Sequence, residues 1–234
     1  MILTAHQPSY LPWLGLFHKI SLADEFCFYD DVQFTRKDFI SRNLIKSSSG
    51  PILLSVPVTA SEHREKKLNE IQILNNGWVG KHLKSIQLNY SKAPYFKVYF
   101  EELEQILTRH KSGSLAELNI ASTKYFMRVL GLETKVRISS DLGLIGNKTQ
   151  RIIDMCEKLE ADKYIFGSLG REYADEYLFR ESAITPYFQQ YLHPIYPQQH
   201  GKFLSNLSVI DLLFNMGPAS LQTIISGNST KGTV

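Results

Sequence analysis

Cysteine is scarce in this chain: 234 residues carry two, Cys27 and Cys156. They stand far apart in apolar runs, so no disulfide framework is encoded and a reducing compartment is expected. Long hydrophobic runs are missing too. No stretch approaches the ~20 apolar residues of a membrane span. The opening MILTAHQP has no basic n-region and too short an apolar run for a signal peptide. Strong charge of one sign is also absent, since 26 Lys and Arg face 23 Asp and Glu, for a formal charge of +3. With no basic stripe or nucleic-acid motif, that balance argues against DNA or RNA as a partner. It still suits an anionic small substrate. A cytoplasmic protein is the expectation. Hydrophobic content of 43% and charged content of 21% are those of an ordinary globular chain. One α/β domain is expected over residues 1–226, with a disordered tail at 227–234.

What the chain does have is alternation. Met1–Ala5 reads as a buried strand, stopped by Pro8. Apolar residues at 14, 16, 17, 20 and 22 mark a short helix from near Gly15, and EFCFY at 25–29 is a second strand. Strand, loop, helix and strand in that order make a compact βαβ unit with parallel strands. Segments 40–46 and 52–58 read as a hairpin across SSSG, followed by a charged loop at 59–67 and a short strand at 70–74. Helical spacing then runs through about 77–131, with Gly131 as a stop. TKVRIS returns to strand, Thr149 is the expected cap of the next helix, and Tyr164–Phe166 is the strand after it. Residues 184–196 look extended and aromatic, the exposed aromatics of 184–203 have a dimer surface or a lid as their two readings, and 208–216 look helical. The pattern predicts an α/β fold: a mostly parallel Rossmann-like sheet, helices on its faces and an all-helical insert.

Three stretches suggest a site. In an open α/β sheet the ligand crevice lies at the carboxyl ends of the strands. His6 and Gln7 fall just past the first strand, and the Gly15 helix offers free N–H groups to an anion. His6 suits general acid or base work, because an imidazole titrates near working pH. The alternative is a loop whose histidine bonds a carbonyl and whose Tyr10 and Trp13 are core. Next comes YDDVQF, where Asp30 and Asp31 end the second strand and point to opposite faces, so at most one should share a pocket with His6. One could orient the histidine, bind a metal or hold a sugar hydroxyl; a turn-forming pair is the other reading. Third is RKDFISRNLIK, where Arg36, Lys37, Arg42 and Lys46 could hold phosphate or carboxylate or form a solvated face. Ser168, Arg171 and Tyr173 in FGSLGREY would line the same sheet edge.

Other signals fail. GLIGNKT resembles a phosphate loop, but Asn147 stands where a Gly must precede the Lys. His193 and His200 are split by two prolines and lack a carboxylate at ligand spacing, so no metal site is expected. There is no Gly-x-Ser-x-Gly elbow and no Cys paired locally with His.

HQPSYLPWLGLFHKISLADEFCFYDDVQF, SRNLIK, LSVPV, NNGWVGKHLKSIQLNYSKAPYF, YIFGSLGREYADEYLF and YLHPIYPQQHGKFLSNLSVIDLLFNMG together resemble the WbqC-like protein family, over about residues 3–217. The resemblance implies bacterial surface-polysaccharide work, typically in O-antigen and lipopolysaccharide gene clusters. Group transfer onto a nucleotide-linked amino sugar fits that setting, with a nucleotide sugar and an activated acyl donor as partners. The resemblance supplies no catalytic residues and no cofactor. The residues chosen above therefore stand: His6, Asp30 and Asp31 for catalysis, and Gln7, Tyr10, Trp13, Gln33, Arg42, Asn43, Lys46, Ser168 and Arg171 for binding. A looser likeness of layout is to adenylyltransferases with paired-histidine loops, with His18 on the helix. Here the histidines are twelve apart and the His-x-Gly-His signature is missing. A nucleotidyltransferase needing a triphosphate and magnesium, and a non-catalytic sugar-binding or assembly subunit, are the alternative functions.

Overall fold

The computed structural model describes residues 1–35, 38–59, 66–172 and 174–234. Arg36, Lys37, Tyr173 and most of the charged 59–67 loop lie outside them. The chain runs β1 (Ile2–His6), α1 (Leu14–Ser21), β2 (Glu25–Phe28), β3 (Arg42–Ser47), β4 (Gly50–Ser55) and β5 (Gln72–Ile73). Then follow α2 (Trp78–Tyr90), α3 (Phe96–Arg109), β6 (Gly113–Ser114), α4 (Leu115–Leu130), β7 (Lys135–Ile138) and α5 (Lys148–Lys158). The last elements are β8 (Lys163–Phe166), α6 (Glu176–Glu181), β9 (Thr185–Phe188), α7 (Val209–Met216) and α8 (Ser220–Ile225).

Five strands form one parallel sheet in the order β7-β2-β1-β8-β9. A parallel strand covered on both faces needs apolar side chains at every position, and β2 is buried along its whole length. Its residues alternate between two cores. Phe26 and Phe28 join α1, the helical insert and α7 on one face. Cys27 joins Leu3 and Ala5 of β1, and Ile152, Ile153 and Cys156 of α5, on the other. Burial pushes both thiols up to about 12, which makes them inert core groups.

The hairpin β3–β4 turns at Ser48–Ser49 and packs against the insert as a separate sheet. The insert is not wholly helical: β6 pairs with β5, so the expected strand at 70–74 shrinks to two residues behind a 3-10 turn at Leu68–Glu70. Asn119 of α4 joins insert to opening loop, its amide donating to the carbonyls of Pro8 (3.0 Å) and Ile40 (2.8 Å). At α5 the cap position is Asn147, not Thr149; Thr149 lies inside the helix, and its hydroxyl accepts the Asp175 N–H at 3.1 Å. The C-terminal residues, expected to fray, return to the sheet: the Ser229 carbonyl accepts from His18 Nε2 (2.9 Å), and Lys231 pairs with Asp24. No helix among the described residues is long and apolar enough to cross a membrane.

Candidate functional site at the carboxyl edge of the sheet

Because all five strands are parallel, their carboxyl ends share one edge. The order of connection reverses there: β1 leads through α1 to β2 on one side, while β8 flanks β1 on the other. In open α/β sheets, ligands bind at such a switch point. The pairing shows an opening. β1 is bonded to β2 as far as His6–Phe28, but to β8 only from Ile2–Lys163 to Thr4–Ile165. At Ala5 and His6, β1 and β8 have parted.

Lys19 of α1 enters this gap. Its ammonium donates to the Ala5 carbonyl at 2.9 Å, and the residue is 4% exposed. No carboxylate pairs with it among the described residues. Burial lowers its pKa to about 7, because removal from water disfavours the charged form. His6 follows Ala5 and is half-buried. Its Nδ1 lies 2.7 Å from the Gln7 carbonyl. A carbonyl can only accept, so Nδ1 carries the proton and the neutral ring's lone pair sits on Nε2. Nε2 has no hydrogen-bond partner among the described residues. Burial and then the Lys19 charge bring the His6 pKa down to about 4, against a smaller upward pull from Gln7. At neutral pH, His6 is an imidazole base.

The surroundings of the pair are stiff. Trp13 precedes α1, and its ring lies on the bare backbone of Gly15, where a Cβ would sit 2.3 Å from Cη2. The indole therefore roofs the first turn that the sequence suggested as an open anion site. Tyr191 meets Trp13 edge-on at 5.5 Å between centroids and tilts over His18 at 5.1 Å. Gln189, just past β9, donates its amide to the Gly15 carbonyl (2.9 Å) and His18 Nδ1 (2.7 Å). His18 is thus neutral, held between Gln189 and Ser229. Ser168 and Arg171 lie in the turn after β8 and are exposed. The Arg171 guanidinium stands 4.4 Å over the Phe188 ring at the end of β9. His6, Gln7, Trp13, Ser168 and Arg171 thus share the edge expected of them.

Asp30 and Asp31 stand at the neighbouring end of β2, with no hydrogen bond or ion pair to His6 among the described residues. Asp30 accepts from the Ser139 hydroxyl (3.0 Å), the Ser140 N–H (3.0 Å), the Ser140 hydroxyl (2.8 Å) and the Asn69 amide (3.2 Å). Asp31 pairs with Arg151 and accepts from the Ser139 hydroxyl. Burial pushes the Asp31 carboxyl up, but Ser139 and Arg151 outweigh it and leave the pKa below the usual range. Beside them a cleft of about 610 Å³ opens between the ends of β2 and β7 and the insert, lined by Asp30, Asn69, Glu70, Glu117, Ser140 and Asp141 among others. Such a wall offers acceptors to hydroxyl and amine groups.

Asn43, Tyr10 and Lys46 hold the scaffold. Asn43 donates to the carbonyls of Leu11 (2.6 Å) and Tyr10 (3.3 Å), fixing a loop in which Leu11 has φ +41°. Tyr10 is fully buried, its hydroxyl 2.9 Å from His82 Nδ1. The Lys46 ammonium, also buried, donates to the Lys202 carbonyl at 2.6 Å and to Gln198 at 3.1 Å. Arg42 is half-buried opposite Ser55 in the hairpin, and Gln33 is exposed and bridges Lys67. Sequence reasoning missed Lys19 and Gln189. A signal for Lys19 existed: α1 is apolar on nearly every side, leaving its lysine little solvated face.

The fold and this edge define an α/β protein of the doubly wound kind, with a titratable pair at the switch point. The model of the WbqC-like protein family matches residues 7–223, and the chain belongs to that family. It is 34% identical over 212 residues to "Uncharacterized protein Rv1507c" of Mycobacterium tuberculosis, covering 90% of this chain and 92% of that one. No solved structure matches the chain.

Proposed function

We propose that the protein is a transferase of surface-polysaccharide (O-antigen) assembly that moves an acyl or aminoacyl group onto the amine of a nucleotide-linked sugar. The observation that carries this reading is the His6 tautomer: Nδ1–H on the Gln7 carbonyl leaves Nε2 a neutral base at the switch point. As the amine nitrogen attacks the acyl carbonyl, Nε2 takes its proton. The bond from the acyl carbon to the leaving group then breaks, and the imidazolium returns the proton to that group. The acidic cleft at the next strand end suits the hydroxyls and amine of the acceptor. Arg171, exposed at the β9 end, suits an anionic group such as a diphosphate.

Thermal shifts against nucleotide-linked amino sugars, acyl thioesters and nucleoside triphosphates test the ligand class. Saturation at ~100-fold Kd adds about 2.7 kcal/mol of stability. Turnover with the ligands that bind then compares the wild type with His6→Ala, which should fold and lose ~10²-fold or more in kcat. A shift with triphosphates alone, or undiminished turnover in His6→Ala, would overturn the proposal.

A further inference from the structure

Lys19 stands outside the roles assigned so far, and its place is unusual. A lysine in the body of a buried helix ordinarily reaches solvent or meets a carboxylate. This one does neither among the described residues; its one hydrogen bond goes to the peptide group that joins Ala5 to His6. The other ionisable groups nearby are already engaged. Asp30 and Asp31 are bound to the Ser139–Ser140 turn and Arg151, His18 is held between Gln189 and Ser229, and Arg171 lies on Phe188. Among these charges, that of Lys19 is the one that bears on His6.

We propose that Lys19 is the positioning residue of His6: its ammonium, bound to the Ala5 carbonyl where β1 leaves β8, fixes the end of the strand and holds the imidazole in its neutral, Nε2-accepting form. Two effects act together. The hydrogen bond supplies the donor that β8 no longer gives, so the end of β1 is held and the ring keeps its bond to the Gln7 carbonyl. The positive charge, an atom or two from the His6 backbone, makes a second positive charge on the ring unfavourable. Over the acid range where an imidazole titrates, the ammonium is fully charged. An interaction of this kind, at an effective dielectric near 20, moves a titration by about one pH unit or more.

This inference rests on His6 being the base, but its test is read in the free protein and needs no substrate. The His6 ring is followed by nitrogen and carbon NMR shifts from pH 8 to pH 4 in wild type, Lys19→Met, Lys19→Gln and Lys19→Arg. Lys19→Gln keeps a donor for the Ala5 carbonyl and removes the charge; Lys19→Arg keeps both. The wild type should show the Nδ1–H tautomer down to about pH 5. Lys19→Met and Lys19→Gln should raise the midpoint by about one pH unit, and Lys19→Arg should restore it. A midpoint unchanged in Lys19→Gln, whose fold is verified by the same spectra, would overturn the proposal. Turnover failing in the earlier assay while these midpoints move as stated would remove the transferase reading and leave this one standing.

Discussion

Replacing Lys19 with methionine should flatten a rise in stability with pH above neutrality. The native lysine binds its proton with a pKa of about 7, against 10.5 for an unperturbed one. Folding thus weakens proton binding. Below pH 7 both states hold the proton, and the penalty for burying the charge is fully present. Between pH 7 and 10.5 the unfolded chain keeps a proton that the folded chain has released, so stability climbs with pH. At 1.36 kcal/mol per pH unit, and with the native amine half-titrated at the start, the gain from pH 7 to pH 9 is about 2 kcal/mol. The group is 4% exposed, so solvent screens little of this. The assay is urea unfolding at pH 7, 8 and 9 for both proteins. The absolute difference between them also contains the Ala5 carbonyl left without its donor, about 1–3 kcal/mol; the slope does not. Other groups titrate in this window, including cysteines in the unfolded chain, but they do so in both proteins and cancel in the comparison. Parallel stability curves would refute the reasoning, because they would mean that the buried ammonium is hydrated or paired.

Acid should destabilise the protein through His82, whose pKa is brought by burial to about 4 from 6.5. It stays neutral when folded while the unfolded chain takes up a proton, so its share of the stability lost from pH 6.5 to 4 is about 3 kcal/mol; His82→Asn should lose that share in the same urea assay and keep the similar one that His6 contributes. Gly15→Ala should cost about 1–3 kcal/mol, since its methyl collides with the Trp13 ring at 2.3 Å; tryptophan fluorescence should shift with it, and a native spectrum with full stability would contradict this. Asn43→Ala should lose about 1–3 kcal/mol from the unpaired Leu11 carbonyl and speed hydrogen exchange in the 7–13 loop; protection at wild-type level would count against a clamping role.

Much of the architecture was legible because the physics is local. EFCFY reads as a strand because it is a run of bulky apolar and aromatic residues, and the structure buries β2 along its length. Three helices between Trp78 and Leu130 follow from apolar spacing, and the stop at Gly131 from the glycine itself, which takes φ +74° in the fold. The carboxyl edge could be named as soon as β1 and β2 were parallel. The neighbours of β1 could not. That β8 pairs with it and then parts after Thr4 is settled by packing between residues 161 apart. The same limit hid Lys19, because periodicity marks which residues are apolar and not which charged one is carried inward with them. It also left Asp30 and Asp31 ambiguous: an Asp pair after a strand looks the same whether it waits for a ligand or binds Ser139 and Arg151. Tyr10 looks like a site residue in the sequence because it lies in the opening loop, and Asn43 because it stands beside Arg42; in the fold Tyr10 is core and Asn43 clamps that loop.

The two hydrogen bonds from Asn119 bear on how freely the parts of this protein can be exchanged. One side chain in the insert holds both Pro8 of the opening loop and Ile40, two residues before the hairpin. Removing residues 77–131, or replacing them with a linker, would leave the buried carbonyls of Pro8 and Ile40 without donors and strip Tyr10 of its His82 partner. The segment looks like an insertion in the order of the chain. In assembly it is a support of the first loop, so a graft of another helical segment here would succeed only if it brought an amide to that same point.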